Sequence, residues 1–199
     1  MKRVILFDAD GVVIQTELFS VQYGKEVGVV QEEFTPFFKG IFQECLVGKA
    51  DLKEIIKPFL AKWKWTDGVD AYLLRWFKAE HHVDQQLLDY IKKLRQRGIL
   101  CFVATNQDKY RLEYLRTKMN FNNLFDGIYC SCEIGSKKPE PAFYEYILQD
   151  LAKRGIGKDE ILFVDDTPTH AEGAKQAGIE DYLYKNCEEF KGKKLKFKT

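Results

Sequence analysis

A chain of 199 residues and 23.3 kDa suits one α/β domain with a small accessory unit, given the usual sizes of domains. Hydrophobic residues at 45% and aromatics at 14% are enough to bury a sizeable interior, which excludes a disordered chain. Thirty-one basic residues against 30 acidic ones leave a net charge of +1, which excludes a global field that would recruit nucleic acid or an anionic membrane.

Met1-Lys2-Arg3 runs into only four apolar residues before Asp8 interrupts them, and nothing approaches the stretch of about 18 apolar residues that a membrane span needs. Neither signal peptide nor span is expected, and the cytoplasm is the default location. Val4 to Phe7 reads as a central parallel strand covered on both faces, ending in Asp8-Ala9-Asp10-Gly11. From about residue 15 to 84 the pattern changes to consecutive helices rich in aromatics. Val69, Tyr72, Leu73, Trp76 and Phe77 follow the spacing of one apolar helix face. Phe34, Phe37, Phe38, Phe42, Trp63 and Trp65 read as the packed interior of this insert rather than as a substrate cage. Thr16 and Glu17 stand where the insert begins, within reach of a ligand; His81 and His82, near its return, are expected on the surface.

Asp84 is placed to cap a helix bearing Leu87, Leu88, Ile91 and Leu94, which Gly98 closes. A second buried strand, Ile99 to Ala104, ends at Thr105-Asn106. Cys130 and Cys132 lie two apart in an apolar strand-like run, which puts them on one face. Lys137-Lys138-Pro139 precedes a helix opened by Pro139 and Pro141 and closed near Gly155. A third strand, Ile161 to Val164, ends at Asp165-Asp166, and Thr167-Pro168 then reads as the cap and first residue of a helix that turns Ala171, Ala174 and Ala177 inward and stops at Gly178. Lys191, Lys193, Lys194, Lys196 and Lys198 make a solvated tail. The five cysteines show no CxxC pair and read as buried thiols in a reducing compartment.

Strands alternating with helices imply a Rossmann-like, doubly wound parallel sheet, with residues 1–14 and 85–199 as the core and 15–84 as a small helical cap. Ligands of such sheets sit beyond the carboxyl ends of the strands, so Asp8, Asp10, Thr105, Asn106, Asp165 and Asp166 are expected in one crevice. A carboxylate that attacks phosphorus forms an aspartyl-phosphate and splits one hard displacement into two easier ones, the role suited to Asp8. Asp10 is placed to protonate the leaving alkoxide and then to deprotonate the hydrolytic water. Two carboxylates this close repel each other unless a cation or a shared proton intervenes. Asp165-Asp166 offer the hard oxygen donors that suit Mg²⁺. Thr105 and Asn106 can hold non-bridging phosphate oxygens, and an ammonium of the lysine pair can reach the developing charge. Singly, these read as a helix cap, turn chemistry and solvated lysines. Their common address at strand ends is what makes them a site.

In this order the motifs resemble those of the haloacid dehalogenase-like superfamily. Asp8-Ala9-Asp10-Gly11-Val12 matches the first, Thr105 the second, Lys138 within Lys138-Pro139-Glu140-Pro141-Ala142-Phe143 the third, and Asp165-Asp166 the fourth, with Gly173-Ala174-Lys175-Gln176-Ala177-Gly178 resembling the helix that follows. The resemblance implies Asp8 as nucleophile, Asp10 as acid and base, and Mg²⁺ held by Asp8, the Asp10 carbonyl and Asp166, with Asp165 bound directly or through water. His170 stands where some members carry a further Asp. Because the dehalogenase branch lacks the acid/base carboxylate and the metal site, the likeness points to a phosphatase acting on a small phosphorylated metabolite. The alternatives are a phosphomutase or a non-catalytic phospho-accepting module. Against a receiver-type module stands the chain order, since the acceptor here comes first and a large insert follows. No nucleic-acid partner or membrane is expected, and the chain is read as a monomer or a homodimer.

Overall fold

The computed structural model describes residues 1–15 and 17–193; Thr16 and, in the Lys-rich end, Lys194, Lys196 and Lys198 lie outside the described residues. After strand β1 (Val4–Phe7) come α1 (Phe19–Val27), α2 (Gln31–Phe38), α3 (Phe42–Leu46), α4 (Leu52–Ile55), α5 (Lys57–Leu60) and α6 (Val69–Ala79). The chain continues with α7 (Gln85–Gln96), β2 (Leu100–Thr105), α8 (Lys109–Thr117), α9 (Phe121–Leu124), β3 (Gly127–Cys130), α10 (Ser131–Ile134) and α11 (Pro141–Lys153). It ends with β4 (Ile161–Asp165), α12 (Pro168–Gln176), β5 (Glu180–Leu183) and α13 (Cys187–Gly192).

The sheet is wholly parallel, in the order β3-β2-β1-β4-β5. β1 lies at its centre: Val4 pairs with Leu100 on one side and Ile161 on the other, and all four of its residues are buried. Helices cover both faces, which is why this strand carries no polar side chain until Asp8. The three expected strands are present, two of them extended to include Thr105 and Asp165. The strand-like run at Cys130 is strand β3, whereas β5 was not expected. They are the sheet edges, and β5, Glu-Asp-Tyr-Leu, has no apolar run; pairing with β4 makes it a strand. Cys130 and Cys132 do not share a strand face as expected, because the chain turns from β3 into α10 between them, although their sulfurs remain 3.5 Å apart. All five cysteines are free, Cys132 half-buried and the rest buried.

The Asp84 carboxylate accepts the Leu87 N–H at 3.0 Å and caps α7 as its sequence position requires. Thr167 precedes α12, but its hydroxyl donates to Asp166 at 3.3 Å instead of capping the helix. Pro141 opens α11, while Pro139 lies ahead of it. The Lys-rich end does not begin as a solvated tail: α13 buries Cys187 and Phe190, and Lys193 pairs with Glu180 at 3.6 Å.

Helices α1 to α6 follow one another with no strand between them and make up the insert between β1 and α7, with Phe34, Phe37, Trp63 and Tyr72 inaccessible and Tyr72, Leu73, Trp76 and Phe77 buried along α6. Its two ends are tied together. Ile14 bridges Val83 antiparallel, the Gln15 N–H donates to His82 O at 2.8 Å, and the Asp84 N–H donates to Val13 O at 2.8 Å. His81 and His82 are exposed, as expected. Among the described residues no helix is long and apolar enough to cross a membrane.

Candidate active site

Asp8 continues the ladder at the end of β1, its N–H donating to Val164 O at 2.9 Å. Its Oδ1 accepts the Ala9 N–H at 2.7 Å and lies 2.7 Å from Lys138 Nζ, which leaves Oδ2 without a protein partner among the described residues. The following turn is closed by the Val13 and Ile14 N–H groups on Ala9 O and by Gly11 N–H on Ile14 O. Gly11 adopts φ +82°, and a Cβ there would overlap the carboxylate of Asp166. Glycine is therefore required twice, for the left-handed backbone and for the close approach of the β4 end to the β1 turn.

Asp8 and Asp10 differ sharply in surroundings: the Asp8 side chain is 9% exposed and that of Asp10 50%. Asp10 accepts from Gln107 Nε2 at 2.6 Å, and Gln107 also donates to Thr105 Oγ1 at 3.3 Å, linking the β1 and β2 ends. Arg111, 2% exposed on α8, stands 4.0 Å from Asp10 and 3.7 Å from Glu80, and donates to the carbonyls of Phe77 and Glu80 where the insert returns. Gln107, Arg111 and Glu80 were missed by sequence reasoning. A Gln two residues past a strand-end Thr, or an Arg in the first turn of a helix, carries no local signal; only the folding of α8 beside the end of α6 brings them to Asp10.

Lys138 is buried, its ammonium 2.7 Å from Asp8 and 2.7 Å from Asp165. Asn106 fixes it from both sides, accepting the Lys138 N–H at 2.9 Å and donating to the Lys138 carbonyl at 3.0 Å. The Asn106 amide, expected on phosphate, is thus engaged in holding a lysine. Lys137 turns away to Gln43 of the insert. Asp165, fully buried, accepts from Lys138, from the Thr167 N–H at 2.9 Å and from His170 Nδ1 at 3.1 Å. The Asp166 carboxylate stands over Gly11. Asp8, Asp10, Thr105, Asn106, Lys138, Asp166 and His170 all line one open cavity of about 340 Å³.

One ammonium cannot serve two buried carboxylates equally. Burial, only partly offset by Lys138, pushes Asp8 up to about 8. Burial acts on Asp165 in the same sense but is outweighed by the hydrogen bond from His170 and the charge of Lys138, which hold its carboxyl well below the usual range. Burial lowers Lys138, yet the charges of Asp8 and Asp165 prevail and keep it above its ordinary value. Asp8, Asp165 and His170 also bring donor atoms within 4.8 Å of one another, but the positive charge between the two carboxylates is already Lys138. Asp166, brought over the turn at Gly11, adds a carboxylate to the cavity that Asp8 and Asp10 also line, an all-oxygen donor chemistry of the kind that suits a hard cation.

The family model for haloacid dehalogenase-like hydrolases matches residues 2–178. D-ribitol-5-phosphate phosphatase of Bacteroides thetaiotaomicron is 25% identical over 197 residues, covering 94% of this chain and 93% of that protein. Phosphoglycolate phosphatase of Pseudomonas putida is 28% identical over 195 residues, covering 90% and 68%. Among solved structures, a HAD family enzyme from Bacteroides thetaiotaomicron in complex with magnesium and inorganic phosphate superposes with a TM-score of 0.74 at 20% identity, over 93% of this chain and 95% of that one. That likeness shows the shared fold.

Proposed function

The chain belongs to the haloacid dehalogenase-like hydrolases, and on that premise we propose that it is a Mg²⁺-dependent phosphatase of small phosphorylated metabolites working through an aspartyl-phosphate. The observation that carries this reading is the asymmetry of the two carboxylates on one cavity, Asp8 buried against Lys138 and Asp10 half-exposed on Gln107. A nucleophile gains from a dry, fixed setting, whereas an acid/base must exchange protons with water. The phosphatase names of two relatives that each cover most of the chain support the same chemistry.

In this mechanism Asp8 Oδ2 attacks phosphorus as the ester P–O bond breaks, and Asp10 gives its proton to the departing alkoxide. Asp10 then takes a proton from water, whose oxygen attacks the aspartyl-phosphate, releases inorganic phosphate and frees Asp8. Lys138 holds Asp8 in place and compensates charge on the phosphoryl oxygens, and Thr105, on the same cavity, offers its hydroxyl to them. Asp8, the Asp10 carbonyl and Asp166 would hold Mg²⁺, with Asp165 bound directly or through water; when bound, the ion neutralises phosphate charge and keeps Asp8 ionised. Residues 1–14 and 85–199 form the catalytic core, and 15–84 the cap that encloses the leaving group.

Release of phosphate from a generic monoester in the presence of Mg²⁺ tests the reading. Asp8→Asn is expected to reduce it to background, and Asp10→Asn to slow it by roughly 10²- to 10⁴-fold. Turnover unchanged in Asp8→Asn would overturn the mechanism.

A further inference from the structure

A second cavity, about 320 Å³, opens from the first and shares Asp10, Leu18, Glu80 and Asn106 with it. Its wall on the insert side is formed by Phe38, Phe42, Leu46 and Trp76, with Leu18 at the junction. Sequence reasoning assigned Phe38 and Phe42 to the packed interior of the insert; both are only partly buried and face this space. Polar side chains line the cavity too, and most are already engaged by the protein itself; the exceptions among the described residues are the ammonium of Lys39, exposed on the wall, and the buried Nε of Arg111. Asn106 is engaged by the Lys138 backbone at 2.9 and 3.0 Å, and Gln107 donates to Asp10 and Thr105. Gln31 donates to Ser20 at 3.2 Å, and Thr35 to Gln31 O at 3.1 Å. Glu80 accepts the Phe19 N–H at 2.8 Å, and both terminal nitrogens of Arg111 are used on backbone carbonyls.

A hydroxylated leaving group would find Lys39 and would otherwise have to displace these bonds to be recognised, whereas an apolar one needs only to cover the rings and Leu46 and gain their burial. The charged side chains of the lining, Asp10 and Glu80 against Arg111 and Lys39, balance in number, so the cavity carries no net charge to draw in an ionic substituent. Its volume stands at the small end of the ~300–1,000 Å³ range of small-molecule sites and limits the occupant to about one or two rings.

We propose that this cavity receives the leaving group of the substrate, and that the substrate class is the phosphate monoester of a neutral alcohol with a compact apolar body, aromatic or branched. This rests on the phosphatase reading above, and it sets the chain apart in substrate from the polyol phosphate named for one relative.

Binding of two non-hydrolysable probes of similar size, benzylphosphonate and 2,3-dihydroxypropylphosphonate, to the wild-type protein with Mg²⁺ measures the preference without turnover. Calorimetry is expected to find benzylphosphonate tighter by roughly tenfold or more, the scale set by burying one ring. The ratio is expected to collapse toward one in Phe42→Ala, and likewise in Thr35→Phe, which fills the cavity from a half-buried position and serves if the first variant folds poorly. Equal or tighter binding of the dihydroxypropyl probe overturns the inference, as does a ratio that survives in both variants. Phosphate release from benzyl phosphate is followed in parallel. A binding preference with no release from any ester upholds the cavity's selectivity and removes the phosphatase reading instead.

Discussion

At Gly11 a missing side chain determines the position of another. Gly11→Ala meets both the left-handed backbone, a strain of about 1–3 kcal/mol, and the Asp166 carboxylate, which must move off the turn. The variant is expected to fold with reduced stability and to bind Mn²⁺ or Mg²⁺ at least roughly tenfold more weakly, because one hard oxygen donor is displaced; calorimetric titration of the ion checks this. Lys138 presents the opposite case, a charge that two buried carboxylates require. Lys138→Met leaves Asp8 and Asp165 uncompensated and is expected to cost about 3–5 kcal/mol in urea unfolding, with part regained when Asp165→Asn is added. Equal stability of the single and double variants would show that Lys138 does not compensate both. Asp8, Asp10, Lys138 and Asp166 were legible in the sequence because each is fixed by a strand end or turn a few residues long. Gln107, Arg111 and Glu80 were not, since their proximity to Asp10 arises only when α8 packs beside the end of α6.

Elements were legible in proportion to their burial. β1, β2 and β4 are covered on both faces, so their chain segments are nearly unbroken apolar runs; β3, an edge buried at Tyr129 and Cys130, left only a short strand-like run, and β5, the more exposed edge, depends on a neighbour to be a strand at all. Short helices of the insert were legible only as a group, because their ends are set by contacts with the core. One such contact joins α4 to α8. Asp51 caps α4 through the Lys53 N–H and accepts from Lys109 at 2.7 Å and the Tyr110 hydroxyl at 2.9 Å. The Lys109 hydrogen bond, with those of Tyr110 and Lys53, lowers the Asp51 carboxyl from 3.8 to about 2. A carboxyl depressed in the folded state stabilises above its unfolded pKa and loses that contribution as pH falls through the folded value. Asn is an equally good cap, so Asp51→Asn removes the charge alone. A loss of about 0.5–1 kcal/mol is expected near neutral pH, discounted for a side chain one-third exposed. The gap to wild type should close between about pH 4 and pH 2. Thermal melts across that range measure it, and a gap independent of pH would contradict the assignment.

For the whole molecule, the insert and the core share their interior. One cluster of buried side chains runs from Ile5 and Phe7 of β1 and Leu87 of α7 through Phe19, Phe34, Trp63 and Tyr72 of the insert. Arg111 and Asp51 tie the two parts at further points. All three tryptophans, Trp63, Trp65 and Trp76, lie in the insert. Tryptophan fluorescence therefore reports the insert alone, while far-ultraviolet circular dichroism reports every helix. The two unfolding curves in urea are expected to coincide, the mark of one cooperative unit; fluorescence that changes first would make the insert a separate domain. The tie between the two ends of the insert also bears on how quickly the sheet assembles. In an open chain about ninety residues separate β1 from its partner β2, and each doubling of a loop costs about 0.6 kcal/mol to close. Once Ile14 meets Val83 and the flanking hydrogen bonds form, the remaining path is about two dozen residues, two doublings shorter. An insert that closes on itself early thus turns the distant pairing of β1 with β2 into a nearly local one, and lets the strand that leads into Asp8 find β2 without a long search.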